Sequence, residues 1–106
     1  MKRLIRILSL LLLTIPFPVD ATVVINEIHY DHKPKTERGE FIELHNAGEN
    51  TVDLSGWRLD GAVEFVFPSG TLIAPGKYLV IAENPSTVES LFALNDVLGP
   101  YNGRLS

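Results

Sequence analysis

Four residues on two neighbouring predicted β-strands carry the side chains best suited to chemistry. Glu27 and His29 lie two positions apart, and so do Glu43 and His45. Because side chains alternate between the two faces of a strand, each Glu–His pair lies on a single face. Imidazoles and carboxylates are ligands of zinc and copper, so the four residues form a candidate metal site if the two strands pair.

The same pattern also fits a solvated sheet face that binds no metal. Exposed faces commonly carry cross-strand pairs of polar side chains, and a metal needs a supporting shell that a flat sheet does not supply. His45 directly precedes a turn at Asn46, where its imidazole is expected to bond the backbone. We interpret Asp53 and Asp60, which lie in turns, as partners of backbone donors. The solvated face is the favoured interpretation, and a divalent metal is the alternative.

Signals for catalysis are absent from the rest of the sequence. No serine lies in the strand–turn–helix context of a hydrolase nucleophile, and the glycines form no phosphate-binding fingerprint. We therefore predict a domain that is not an enzyme and has no catalytic residue and no bound cofactor.

The N-terminal 21 residues have the three parts of a secretory signal peptide. Residues 1–6 include three cationic side chains, residues 7–15 are nearly all apolar, and Ala21 offers a small residue for cleavage. The apolar run is short for a membrane span, and two prolines follow it, so an uncleaved anchor is the less favoured alternative. We expect cleavage after Ala21, export to the cell envelope or the medium, and one domain over residues 22–106.

The charge of this domain excludes one class of partner. Residues 22–106 contain six basic and twelve acidic side chains, which argues against binding to a phosphate backbone. The sequence has no cysteine, so neither a lipoprotein anchor nor a disulfide forms. A small exported domain without disulfides must depend on its core, which mildly favours a bacterial source. No membrane contact is expected after cleavage.

Period-2 patterns and turn signals predict an all-β domain. Strand one places Val24, Asn26, Ile28 and Tyr30 on one face by simple alternation. Many short strands separated by turns are typical of an antiparallel β-sandwich. Two turns are predicted: a two-residue hairpin loop at 60–61 and a type II turn at 74–77. Trp57, Phe65 and Phe67 are expected in the core. A helix is predicted over 85–92, with Val88, Leu91 and Phe92 facing inward.

Five motif segments follow one another along the sequence: Val24–Ile28, Gly39–Asn46, Val52–Leu59, Phe65–Thr71 and Pro75–Ala82. In this order they resemble the lamin-tail family, an immunoglobulin-like β-sandwich of nuclear lamins and exported bacterial proteins. The resemblance implies no agreed catalytic residues. It also implies one or two closing strands beyond the segment that matches 102–106, so we expect a C-terminally incomplete fold. In bacteria such domains accompany exported nucleases, phosphatases and adhesion repeats.

The sequence thus predicts an exported, non-catalytic lamin-tail-like module for binding, adhesion or spacing. Its expected partner is a protein, a cell-surface polymer or a catalytic domain of the same polypeptide. One alternative is the accessory domain of a longer exported metal-dependent hydrolase or nuclease. The other is a small metal-binding protein that uses the Glu–His face.

Overall fold

Ten β-strands and one α-helix make up the part of the chain that the structure, a computed structural model, describes: residues 3–7, 11–15, 22–30 and 39–105. The elements are β1 (Arg3–Ile7), β2 (Leu11–Ile15), β3 (Val23–His29), β4 (Phe41–Asn46), β5 (Val52–Asp53), β6 (Arg58–Gly61), β7 (Val63–Val66), β8 (Leu72–Ile73), β9 (Tyr78–Ala82), α1 (Pro85–Phe92) and β10 (Asn102–Gly103).

The strands form three antiparallel sheets. One sheet has the order β3-β4-β9, a second has the order β1-β2-β6-β7-β10, and a third pairs β5 with β8. One apolar core joins side chains from all three sheets. The predicted all-β, immunoglobulin-like sandwich is therefore confirmed.

The core is centred on the aromatic residues that the sequence predicted to be interior. Trp57 is only 6 % exposed, and Phe67 is fully buried in the same cluster. Phe65 is partly buried and packs edge-to-face on Phe67, with ring centroids 5.1 Å apart. A domain without disulfides gains much of its stability from such large apolar side chains, since each removes about 150–250 Å² from water.

A β-bulge in β3 changes which of its side chains face the core. The pairing with β4 shifts between Ile25 and Glu27, which leaves Asn26 as the extra residue. The core takes Val23 and Ile25 before the bulge and Ile28 after it. The predicted single face through 24, 26, 28 and 30 is wrong, because a bulge inserts one residue and reverses the alternation.

The β6–β7 hairpin differs from the two-residue loop predicted at Asp60–Gly61. Leu59 pairs with Phe65, and β6 continues through Gly61, so the turn is centred on Ala62. This register places two core side chains opposite each other, whereas the predicted loop would have paired Leu59 with Ala62. Burial of one face overrides the local turn signal here.

The predicted type II turn is confirmed at residues 74–77. Lys77 donates its backbone N–H to the carbonyl of Ala74 at 3.1 Å, and Gly76 has a φ of 72°. Only glycine adopts such a positive φ without strain, which explains the residue at this position.

The predicted helix forms at Pro85–Phe92, and its burial differs from expectation at two positions. The Asn84 side chain accepts the backbone N–H of Thr87 at 3.2 Å and caps the helix. Val88 is fully buried, whereas Leu91 and Phe92 are 45 % and 43 % exposed and thus less buried than predicted. Phe92 nevertheless faces the sheet, because its ring packs edge-to-face on Phe41 at a centroid distance of 5.4 Å. The short helix covers only one end of the β3-β4-β9 sheet. The last turn of the helix therefore lies at the edge of the helix–sheet contact.

The segment after the helix returns to both layers of the sandwich. Leu98 exchanges backbone hydrogen bonds of 2.9 Å with Val80 and Ala82, and β10 pairs with β7. No returning strand was predicted after the helix, because Asn102–Gly103 has the composition of a turn. At Gly103, which has a φ of 94°, a Cβ would lie 2.3 Å from the carbonyl oxygen of Ala62. The expectation of further closing strands remains a prediction.

Two strands fall within the predicted signal peptide. β1 pairs with β2, and β2 pairs with β6, so that Leu13 lies opposite Leu59 and Thr14 opposite Arg58. The predicted cleavage position at Ala21 lies outside the described residues.

The side chain of Asn46 joins three separate segments at the end of β4. It is fully buried, and its Nδ2 donates to the carbonyls of Asn50 and Ile73, both at 2.8 Å. Its Oδ1 accepts the backbone N–H of Gly48 at 2.9 Å. Its own backbone N–H and carbonyl bond to the 76–77 turn at 3.0 and 2.8 Å. A buried amide with all of its groups satisfied fixes a unique arrangement of the chain around it.

We predict that Asn46→Asp lowers the free energy of unfolding by about 3 kcal/mol or more. The variant keeps the size of the side chain, but it replaces two donors with a carboxylate oxygen that faces two carbonyl oxygens. Urea unfolding followed by Trp57 fluorescence measures the change. Asn50→Asp is the matched control, since Asn50 is exposed and contributes its backbone carbonyl. Equal unfolding midpoints for the two variants would contradict the role of the Asn46 amide.

Candidate functional site

The predicted metal residues lie along the outer face of the β3-β4-β9 sheet. Glu27 lies opposite Glu43, which brings the two carboxylates to adjacent positions. His45 lies opposite Val24, whereas His29 lies opposite Phe41. The two imidazoles are thus separated by four positions along β4, or about 13 Å of strand.

Each imidazole lies against an aromatic ring. His29 stacks on Phe41 at a centroid distance of 4.9 Å and meets the edge of Phe92 at 5.7 Å. His45 stacks on Tyr78 at 4.4 Å with nearly parallel rings. The two ring contacts stand at opposite ends of the outer face, so the histidines belong to two different environments.

The carboxylates also have neighbours of their own. Glu43 accepts the side-chain N–H of Asn26, the bulge residue, at 2.8 Å. Glu27 approaches Nδ1 of His29 at 4.0 Å. Among residues 22–30 and 39–105, no three His, Cys, Asp or Glu side chains are grouped so that they could hold a metal ion. The structure brings the two carboxylates together and keeps the two imidazoles apart.

Within residues 22–30 and 39–105, helix α1 leaves one half of this outer face open. Helix α1 covers the end at Phe41 and Ala82 with Val88. The other end presents Tyr78, which is 55 % exposed, beside the partly buried His45. Tyr78 lies within the segment 75–82, and no pattern in the sequence distinguishes it as a site residue. Its contact with His45 depends on β9 pairing with β4, a long-range register that no local pattern reveals.

A second polar group, missed by the sequence analysis, is buried at the start of β4. Glu40 is only 4 % exposed, and its Oε1 accepts the hydroxyl of Tyr101 at 2.7 Å and the backbone N–H of Leu105 at 3.3 Å. Nearby, Arg104 Nε lies 3.9 Å from a carboxylate oxygen of Glu83. These contacts fasten the C-terminal segment to the sandwich, which is a structural role.

Burial raises the pKa of Tyr101 well above its usual value. The hydrogen bond to Glu40 and the negative charges of Glu40 and Glu83 act in the same direction. The neutral phenol is therefore strongly favoured in the folded protein. Its proton is held by the fold and is not available for acid–base chemistry near neutral pH.

The two aspartates interpreted as turn residues do bond backbone donors. Oδ1 of Asp53 accepts both the N–H, at 2.9 Å, and the hydroxyl, at 2.5 Å, of Ser55, and these bonds lower the pKa of Asp53. The Ser55 hydroxyl in turn accepts the N–H of Gly70 at 2.8 Å. Asp60 accepts the N–H of Gly61 at 3.1 Å.

We predict that Tyr101→Phe reduces the loss of stability at alkaline pH. A phenol whose pKa is raised by folding contributes stability that is complete below about pH 10, its unfolded pKa, and is lost as the pH rises further. Urea midpoints measured from pH 8 to 11.5 should therefore fall more steeply for the wild type than for Tyr101→Phe. Tyr78→Phe, at an exposed ring, should retain the wild-type slope. A Tyr101→Phe slope equal to that of the wild type would contradict the burial argument.

Comparisons with known proteins give one match. No curated protein and no solved structure matches the chain. In the described part of the chain, no helix is long and apolar enough to span a membrane. A family model for the lamin tail domain, a non-catalytic immunoglobulin-like fold, matches residues 18–103 and thus includes all five motif segments and the outer face described above. The chain therefore belongs to the lamin tail domain family.

Proposed function

We propose that this protein is an exported binding module that attaches to a neutral cell-surface polysaccharide through the open half of its outer face. The observation that carries the proposal is the stacked pair of Tyr78 and His45, whose tyrosine ring is 55 % exposed. The non-catalytic family fold supports a binding role over an enzymatic one.

The geometry of the aromatic pair favours a ligand with flat apolar faces. The stacking contact at 4.4 Å limits the motion of the Tyr78 ring, so less conformational entropy is lost when a ligand binds. Val24 lies opposite His45, is partly buried and extends the apolar strip beside the rings, whereas Val80 connects this strip to the cluster at helix α1. The faces of sugar rings present C–H groups that pack against such aromatic surfaces.

Polar groups next to the rings suit the hydroxyls of a sugar. Glu43 and Asn26 hold each other by a hydrogen bond of 2.8 Å at an exposed position one pair further along the sheet. A carboxylate and an amide together offer acceptors and donors. The acidic charge of residues 22–106 disfavours anionic polymers, which leaves neutral polysaccharides as the favoured ligands.

Attachment of this kind also fits the accessory role within a longer exported hydrolase, since it would hold a catalytic domain close to an insoluble substrate. The small metal-binding protein has less support, because the two imidazoles of the proposed ligand set lie at opposite ends of the outer face.

We predict that Tyr78→Ala weakens binding to an insoluble polysaccharide about tenfold, which corresponds to the ~1.4 kcal/mol that one aromatic contact supplies. Sedimentation with three purified neutral polymers, cellulose, chitin and an insoluble β-1,3-glucan, measures the bound fraction. Tyr30→Ala removes a similarly exposed tyrosine at the other end of β3 and should bind as the wild type does. Failure of the wild type to bind any of the three polymers, or equal losses for both variants, would contradict the proposal. If the same face bound a protein and none of these polymers, the polysaccharide assignment would be wrong and the partner would be a protein.

A further inference from the structure

One edge of strand β6 pairs with a strand that signal-peptide cleavage is predicted to remove. β6 pairs with β7 on one side and with β2 on the other. β2 (Leu11–Ile15) belongs to the segment predicted to be cut away as a signal peptide. Cleavage after Ala21 would therefore remove the neighbour of β6 and leave its backbone N–H and C=O groups on that side without ladder partners. Such an edge is a template for another strand.

The side chains of β6 make this edge complementary to itself. Leu59 points into the core and is fully buried, whereas Arg58 and Asp60 lie on the outer side of the sheet. When two copies of β6 run antiparallel about a two-fold axis through Leu59, each Leu59 lies opposite its equivalent. Arg58 of each copy then lies opposite Asp60 of the other. This register keeps core side chains on one face and places opposite charges in both flanking pairs.

The strand that covers β6 in the structure lacks this complementarity. β2 places Thr14 opposite Arg58 and Leu12 opposite Asp60, so the residues at these two register positions are uncharged types. A second copy of β6 therefore matches this edge better than the leader strand does.

We propose that removal of residues 1–21 exposes the edge of β6 and that the processed chain (residues 22–106) then forms a homodimer by antiparallel β6–β6 pairing. The two-fold axis passes through Leu59, and two equivalent pairs of Arg58 and Asp60 flank it. The interface is isologous and closed, so it produces dimers without producing fibres. The leader thus keeps the edge covered until export is complete.

Two features set the strength of the dimer. Only residues 58–60 of each β6 pair with the β6 of the other copy, and the two acidic copies repel each other. Within one chain, Arg58 already lies 3.4 Å from Glu64 and 3.9 Å from Asp60, but these pairs are exposed and cost little to exchange. Association is therefore weak and depends on protein concentration.

The first experiment compares two forms of the chain by sedimentation equilibrium. Export of the full chain should yield a processed protein whose intact mass begins at Thr22 and whose dimer fraction rises with concentration. The unprocessed chain, purified from cells in which export is blocked, should stay monomeric over the same concentration range. A folded processed protein that is monomeric throughout would overturn the proposal. An unfolded one would also do so, because residues 1–15 would then be a required part of the sheet.

The second experiment tests the register with two processed variants. Arg58→Glu places two acidic residues opposite each other at both flanking positions, and Asp60→Lys places two basic residues there. Each variant alone should raise the dimer dissociation constant about tenfold or more. An equimolar mixture pairs opposite charges at both positions, and it should restore association to within about twofold of the wild type.

The mixture distinguishes this interface from other kinds of association. Both substitutions lie at solvent-accessible positions, and circular dichroism should confirm that each variant is folded. Variants that dimerise as the wild type does would place the interface elsewhere on the surface. A mixture that fails to associate would exclude the register through Leu59. Either result overturns the proposal.

Discussion

The buried amide of Asn46 is the constraint on which the rest of the sandwich depends. Its three side-chain hydrogen bonds hold the turn after β4 and the end of β8. Its backbone N–H and carbonyl bond to the turn before β9. A buried polar group stabilises a fold only when all of its bonds are made, so the three segments must arrive together. Because β9 is thereby set beside β4, the pairing of His45 with Tyr78 on the outer face follows from the same bonds.

The strand β4 links this constraint to both faces of the sheet. Ile42, Leu44 and Asn46 point into the interior and are fully buried, whereas Phe41, Glu43 and His45 point outward. The strand is central, so each outward residue has a neighbour on both sides. Helix α1 uses Phe41 as its contact, and the remaining outward residues stay open to solvent. The proposed binding surface is thus the part of the outer face that the helix is too short to cover.

Local sequence signals predicted the elements that local interactions control. The helix at Pro85–Phe92 and the turn at 74–77 follow from proline, glycine and a capping asparagine, all of which act within a few residues. The hairpin register and the bulge at Asn26 were missed because both depend on which face is buried. The contacts of Glu40 with Tyr101 and of His45 with Tyr78 span distant parts of the chain. Composition and spacing carry no information about such pairs.

The edges of the two main sheets are covered by different segments of the chain. The edge of β9 is partly covered by the parallel bridge to Leu98, and β7 is covered by the short strand β10. β6 pairs with β7 on one side and with β2 on the other, and β2 lies in the predicted signal peptide. Charged residues on an edge strand discourage indiscriminate pairing, since most incoming strands leave them without partners. In the proposed dimer, the alternation of Arg58 and Asp60 favours a strand that carries the same two charges in the reverse direction, because each charge then lies opposite its counterion.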